Sequence, residues 1–181
     1  EQRLDFFGID GKDIANFPRI AKAMRKLAPP ALDRLYDKVR RTPETAAKFS
    51  GEAQITGARN KQIEHWQELF SDHPGPAYVE RAERIGNIHA RIGLDPTWYI
   101  GGYARVLGEV IEGAIRRTPG DWLDGGRSAR TVTSLVKVAL LDMDIALSAY
   151  FKAEERSRLS VIDGVGQALG ALADGDFTQA L

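Results

Sequence analysis

Cysteine is absent from all 181 residues, and only two methionines and three histidines occur. The missing thiols exclude disulfides, iron–sulfur clusters, cysteine zinc sites and any metal or cofactor ligation through thiolate. No stretch of about 18 consecutive apolar residues is present, which excludes a membrane-spanning helix, and no signal-peptide pattern opens the chain. An excess of charge is missing as well. Lysine plus arginine number 25 and aspartate plus glutamate 25, so there is no electrostatic footprint for nucleic acid. Strand signals are lacking, because β-branched residues are scattered and no alternating run is bounded by hairpin turns. There is no Gly-x-Ser-x-Gly, no His-Glu-x-x-His and no phosphate-binding Gly-x-x-x-x-Gly-Lys-[Ser/Thr] motif. Gly86, Gly93, Gly101, Gly102 and Gly108 follow no strand, so they form no phosphate loop and read as sites of close helix crossing.

What remains is an ordinary globular composition, 43% hydrophobic and 28% charged, long enough for one domain with a core. Apolar residues recur at spacings of three and four almost throughout, which predicts an all-α chain. Helices are expected at roughly 16–27, 29–41, 43–49, 53–71, 76–92, 96–117 and 127–172, with boundaries good to about two to four residues. Pro29-Pro30 is expected to end one helix and open the next. Thr42 before Pro43 reads as a capping hydroxyl. Ser50-Gly51, His73-Pro74-Gly75-Pro76 and Thr118-Pro119-Gly120 read as breaks, and Asp95-Pro96 as a capped helix start. Glu1 opens the chain without Met and Leu181 closes it inside a helical pattern, so both ends read as cuts within a longer protein.

The last two helices carry the densest apolar content. Between Leu135 and Leu147 the apolar residues cover more than one face, which predicts burial against both the domain core and a second subunit. Beyond Phe151 a charged stretch, Lys152 to Arg158, leads into Leu159, Ile162, Val165, Gly166, Leu169 and Leu172 at heptad-like spacing. That pattern suits a paired helix leaving the domain. The segment Ala173-Asp-Gly-Asp-Phe177 is expected to break it.

Few residues are candidates for chemistry. A neutral imidazole is a common metal ligand, yet a lone histidine on an amphipathic helix is more often structural. His89 should share its helical face with Ile85 and Ile92, and its second ring nitrogen should bond a backbone carbonyl. Asp142 and Asp144 stand in an apolar stretch. Two residues apart, they cannot share a helical face, so they read as exposed or interface carboxylates rather than a catalytic pair. His73, beside a turn proline, reads as exposed.

The surroundings of His89 change its reading. The segment His89-Ala-Arg-Ile-Gly-Leu-Asp-Pro-Thr-Trp-Tyr-Ile-Gly-Gly-Tyr103 resembles the proximal motif of the globin-coupled sensors, the haem-based gas sensors of bacteria and archaea. Three further segments are similar to that family. Ala31 to Val39 resembles its second helix, Pro43 to Phe49 the short helix that follows, and Lys61 to Phe70 its distal helix. The likeness runs from about Phe17 to Phe151.

The resemblance implies an all-α, globin-like fold with a long C-terminal helix leading to a signalling linker. It implies haem b as cofactor, His89 as proximal iron ligand, and O2 as gas ligand, with CO and NO as alternatives. Tyr36, 53 positions before His89, would be the distal residue, its phenol O–H donating to a polar ligand. Ala58 would stand where classical globins place a distal histidine. Gln62, one turn on, could give a second hydrogen bond, with Lys61 its rival if the register shifts by one. His65 is not expected to bind iron. Tyr99, next to Trp98, would lie near His89 and sense iron movement, or else serve core or interface packing. Residues 1–152 would be the sensor globin domain and 153–181 a helical linker starting a HAMP-like relay. The implied function is a cytoplasmic, non-enzymatic oxygen sensor, dimeric through its last two helices, driving a C-terminal signalling domain. A methyl-accepting aerotaxis receptor is favoured as the output over a diguanylate cyclase or histidine kinase. A haem-free globin-like interaction module and a haem dioxygenase for nitric oxide are the rival readings.

Overall fold

The computed structural model describes residues 2–71, 73–116 and 125–174. Among these residues there is no strand, and eight helices follow in order: α1 (Gln2–Phe6), α2 (Gly11–Ala15), α3 (Phe17–Arg41), α4 (Pro43–Ala46), α5 (Glu52–Glu68), α6 (Pro76–Arg91), α7 (Pro96–Arg116) and α8 (Gly125–Ala173). The all-α expectation is borne out. Helix α3 packs on α5 and α7, and α6 lies along α8 in the most extensive pairing.

Each long helix buries a stripe set by its own sequence. In α3 the stripe is Phe17, Ile20, Ala21, Met24, Leu27, Ala28, Ala31, Leu32 and Tyr36, a run of threes and fours that matches 3.6 residues per turn. In α7 it is Tyr99, Tyr103, Val106 and Val110. In α8 it begins with Leu135, Val138 and Ala139, and continues through Asp142, Ile145, Ala146 and Ala149. The stripes of α3, α5, α6, α7 and the first half of α8 meet in one apolar cluster.

Three sequence expectations are corrected. Pro29 and Pro30 do not divide two helices but lie inside the single 25-residue α3. They remove the donors that would bond the carbonyls of Arg25 and Lys26. Both of those residues are exposed, so water can satisfy the carbonyls while Leu27, Ala28, Ala31 and Leu32 hold the helix to the core. Thr42 precedes α4 but makes no capping bond; its Oγ1 donates back to the Lys38 carbonyl at 2.9 Å. The chain is also helical before residue 16. Asp10 caps α2 with a reciprocal bond from Asp13, and Asp13 then ties α2 to α8. Its buried carboxylate accepts from Ser134 Oγ at 2.6 Å and from Lys137 Nζ at 3.0 Å.

Other boundaries fall close to expectation. Asp95 caps α7 by accepting from the Thr97 N–H at 2.8 Å. Residues 47–49 leave the helix that was expected to run to 49. The end of α8 at Ala173 agrees with the expected break. The expected Thr118-Pro119-Gly120 break lies outside the described residues. Among the described residues no helix is long and apolar enough to cross a membrane.

Candidate functional site

The end of α6 sets the position of His89. Gly93 adopts φ +61°, the left-handed conformation that glycine takes without Cβ strain. The Gly93 N–H donates to the Ala90 carbonyl and the Leu94 N–H to the His89 carbonyl, both at 2.9 Å. This six-to-one and five-to-two pair closes the helix with His89 in its last turn. One turn earlier, Gly86 lets α6 touch α8. A Cβ there would stand 2.0 Å from the Ala146 carbonyl oxygen.

The His89 ring is enclosed by Gly86, Leu94, Tyr99, Ala146, Leu147 and Tyr150. Its burial pushes the imidazole down from 6.5 to about 4, so it is neutral near pH 7. The expected backbone carbonyl partner is not found, and Nδ1 is buried without any hydrogen bond. The Tyr99 ring packs against it with centroids 4.8 Å apart.

The other expected site residues are distributed over α3, α5 and α7. Tyr36 is buried on α3, and burial raises its phenol above the usual range, keeping the O–H as a donor. Ala58 on α5 is half-buried and packs on the same apolar cluster as Tyr36 and Tyr99. Gln62 is half-buried, whereas Lys61 is exposed. Trp98 is about one third exposed, unlike the buried Tyr99 beside it. His73 is exposed, as expected.

Asp142 overturns its sequence reading. It is neither exposed nor at the surface of the chain, but 1% exposed in the interior. Its Oδ2 accepts from the Tyr103 hydroxyl and lies 2.9 Å from His65 Nε2. Tyr103 also receives a bond from the Tyr99 hydroxyl at 3.3 Å and packs against Trp66, ring centroids 5.1 Å apart. Asp144, on a different face as expected, is partly exposed and paired with Arg3 at 3.4 Å.

The Protoglobin family profile matches residues 1–156 of this chain. The chain belongs to the protoglobin family. Over 179 residues this protoglobin is 24% identical to the heme-based aerotactic transducer HemAT of Halobacterium salinarum, a match covering 94% of the chain and 36% of HemAT. It therefore spans about a third of that relative's length. Among solved structures it is similar to the globin domain of a Geobacter sulfurreducens globin-coupled sensor, with TM-score 0.70, 18% identity, and coverage of 82% of this chain and 95% of the other. The globin domain of E. coli DosC in its ferric form gives TM-score 0.62 at 15% identity, covering 83% and 98%. The fold is thus the globin fold of sensor domains, as the proximal frame implied.

The residues present fit a haem. A neutral imidazole with a buried, unpartnered ring nitrogen has the chemistry of a metal ligand. A single histidine is enough for a prosthetic group that brings its own ring of ligands.

Sequence reasoning missed Tyr78, Tyr103, Trp66 and the Asp142–His65 pair as parts of one arrangement. One signal was available. Counting on from Leu135, Val138 and Ala139 in threes and fours arrives at Asp142, which places the carboxylate on the buried stripe.

Proposed function

We propose that this protoglobin is the haem-binding, oxygen-sensing globin domain of a globin-coupled signal transducer. Residues 1–152 form the sensor and residues 153–181 begin the helical relay to an output domain. The observation that carries this reading is His89, a half-buried neutral imidazole whose buried Nδ1 is unsatisfied, held by the Gly93 helix stop within a family-specific frame.

Haem b, when bound, supplies the iron at which a diatomic gas is taken up. His89 would hold the iron. Tyr36 offers a protonated phenol to a polar ligand, which favours O2 over the less polarised CO. Ala58 leaves room on the distal side without donating, and the half-buried Gln62 is better placed than the exposed Lys61 to add a second hydrogen bond. Tyr99, against the His89 ring, is positioned to respond when that ring moves.

Signalling rather than catalysis is the proposed role, and an aerotaxis receptor the proposed output. The match to HemAT covers 94% of the chain and so extends past residue 156, where the family profile ends. A homodimer through α7 and α8 is proposed from the exposed apolar residues Ile100, Leu140 and Phe151 and from the exposed Leu159, Ile162, Val165 and Leu169 of the tail.

Absorption spectra of the haem-reconstituted protein test the reading, taken in the ferrous deoxy, oxy and CO forms beside His89→Ala. The expected result is a five-coordinate deoxy spectrum that forms a stable oxy complex, both lost in the variant. Failure to take up haem, or an unchanged spectrum in His89→Ala, overturns the proximal assignment in favour of a haem-free interaction module.

A further inference from the structure

The gas-binding reading does not use Asp142, a carboxylate buried in the interior. A carboxylate in an apolar interior costs more than a hydrophobic residue of the same volume unless its acceptors are filled. Only half of this one is filled. Oδ2 takes the Tyr103 hydroxyl and faces His65 Nε2 at 2.9 Å, while Oδ1 is buried with no partner. The Tyr78 hydroxyl on α6 is buried beside this carboxylate, close enough to feel it as a hydrogen-bond acceptor but without a well-formed bond to it. Burial, the nearby Asp142 charge and hydrogen bonding toward that carboxylate all raise its phenol, so it stays a donor.

These groups join four helices. His89 on α6 touches Tyr99 on α7, Tyr99 bonds Tyr103 on the next turn, Tyr103 bonds Asp142 on α8, and Asp142 meets His65 on α5. Tyr78 comes back to α6, about three turns before His89. Two donor arrangements are available to the carboxylate. In one, Tyr103 and His65 share Oδ2 and Tyr78 stands beside the carboxylate without a well-formed bond. In the other, Tyr78 occupies Oδ1 and the load on Oδ2 is relieved. Exchanging a filled for an unfilled bond on a buried charge shifts the balance between discrete packings, because close-packed helices move between states rather than deform continuously.

We propose that Asp142 is the positioning residue that couples the haem pocket to the output helix: displacement of Tyr99 by His89 alters the Tyr103 bond, redistributes the donors on Asp142, and moves α8 relative to α5 and α6. This rests on the sensing reading above. Oδ2 meets His65 and a phenol, and among the described residues no Lys or Arg is bonded to the carboxylate, so the contacts can rearrange without breaking an ion pair to either.

The test is the infrared difference spectrum between CO-bound and ligand-free ferrous holoprotein, with amide hydrogen exchange of α8 recorded on the same samples. Wild type is expected to show a carboxyl difference band that vanishes in Asp142→Asn and shifts in Tyr103→Phe and Tyr78→Phe. The ligand-dependent change in exchange over residues 145–165 is expected to fall at least about fivefold in these variants, the lower end of ordinary allosteric coupling. Their deoxy spectra should stay five-coordinate. If Asp142→Asn does not fold, the two phenylalanine variants decide on the same criteria. A carboxyl band absent from wild type or unchanged in the variants, with normal haem spectra, overturns the proposal and leaves the sensing reading standing. Loss of haem binding by wild type itself removes the sensing reading first.

Discussion

At the scale of single residues, burial does most of the chemistry. His89 has no charged neighbour to set its protonation; desolvation alone lowers its pKa from 6.5 to about 4. The sign of the resulting pH dependence follows. Between those two values the unfolded chain binds the proton and the folded chain does not, so stability from this group is complete above about pH 6.5 and is lost as the pH falls toward 4. The full span is worth about 3 kcal/mol. In urea unfolding of the haem-free protein, wild type should lose stability between pH 7 and 4.5 more steeply than His89→Gln. Parallel pH profiles for the two proteins would show that the histidine is not the cause. The same desolvation that denies His89 a proton keeps Tyr36, Tyr78, Tyr99 and Tyr103 protonated, so the interior is rich in donors, and Asp142 lies among them as an acceptor.

At the scale of elements, the α6–α8 contact decides how the site is connected to the rest. Gly86 and Ala146 bring the two helices close enough that the backbone of one meets the backbone of the other. Gly86→Ala would force a Cβ into the Ala146 carbonyl, which cannot swing aside as a side-chain tip can. Thermal or denaturant unfolding should show a loss near the upper end of about 1–3 kcal/mol, the ordinary cost of overpacking. Gly108 on α7 is the control, since nothing stands within 4 Å of its Cβ position. Gly108→Ala should stabilise by about 0.5–1 kcal/mol through helix propensity. Equal effects at the two positions would show that close approach at Gly86 carries no cost. By contrast, the exposed pairs Arg59–Asp33 and Arg40–Glu52 between α3 and α5 contribute little in water, typically below about 1 kcal/mol each. The hold of α3 on α5 comes from Leu32, Tyr36, Ile55 and Trp66 in the shared core.

At the scale of the whole molecule, α8 is two helices in character. Its first half buries Leu135 through Ala149, and its second half presents Phe151, Leu159, Ile162, Val165 and Leu169 to solvent in the single chain. Apolar side chains repeated along one exposed helix need a partner to cover them. Sedimentation should therefore find the wild-type chain as a dimer. Leu159→Glu with Ile162→Glu should give a monomer that keeps its haem spectrum. A wild-type monomer at micromolar concentration, or a double variant that still dimerises, would place the pairing surface elsewhere.

The sequence by itself determined whatever depends on neighbours within a turn or two. The 3.6-residue stripes of α3, α6 and α7, the Asp95 cap, the Gly93 stop and the frame around His89 are all local, and each was legible before any coordinates. Locality also explains two misses. Pro29 and Pro30 carry a strong local signal to break α3, but the packing of Leu27, Ala28, Ala31 and Leu32 on distant helices outweighs two lost hydrogen bonds. Thr42 has the right residue type for a cap, yet its hydroxyl turns back to the Lys38 carbonyl. Tertiary structure alone decided that Asp142 and His65, 77 positions apart, share a buried bond, and that Asp142 and Tyr103 meet across 39. It also decided that Asp13 reaches Ser134 to anchor the N-terminal helices. A residue's helical face can be counted from its sequence, but what faces it across the core is set only when the helices dock, because side-chain partners so far apart leave no periodic trace.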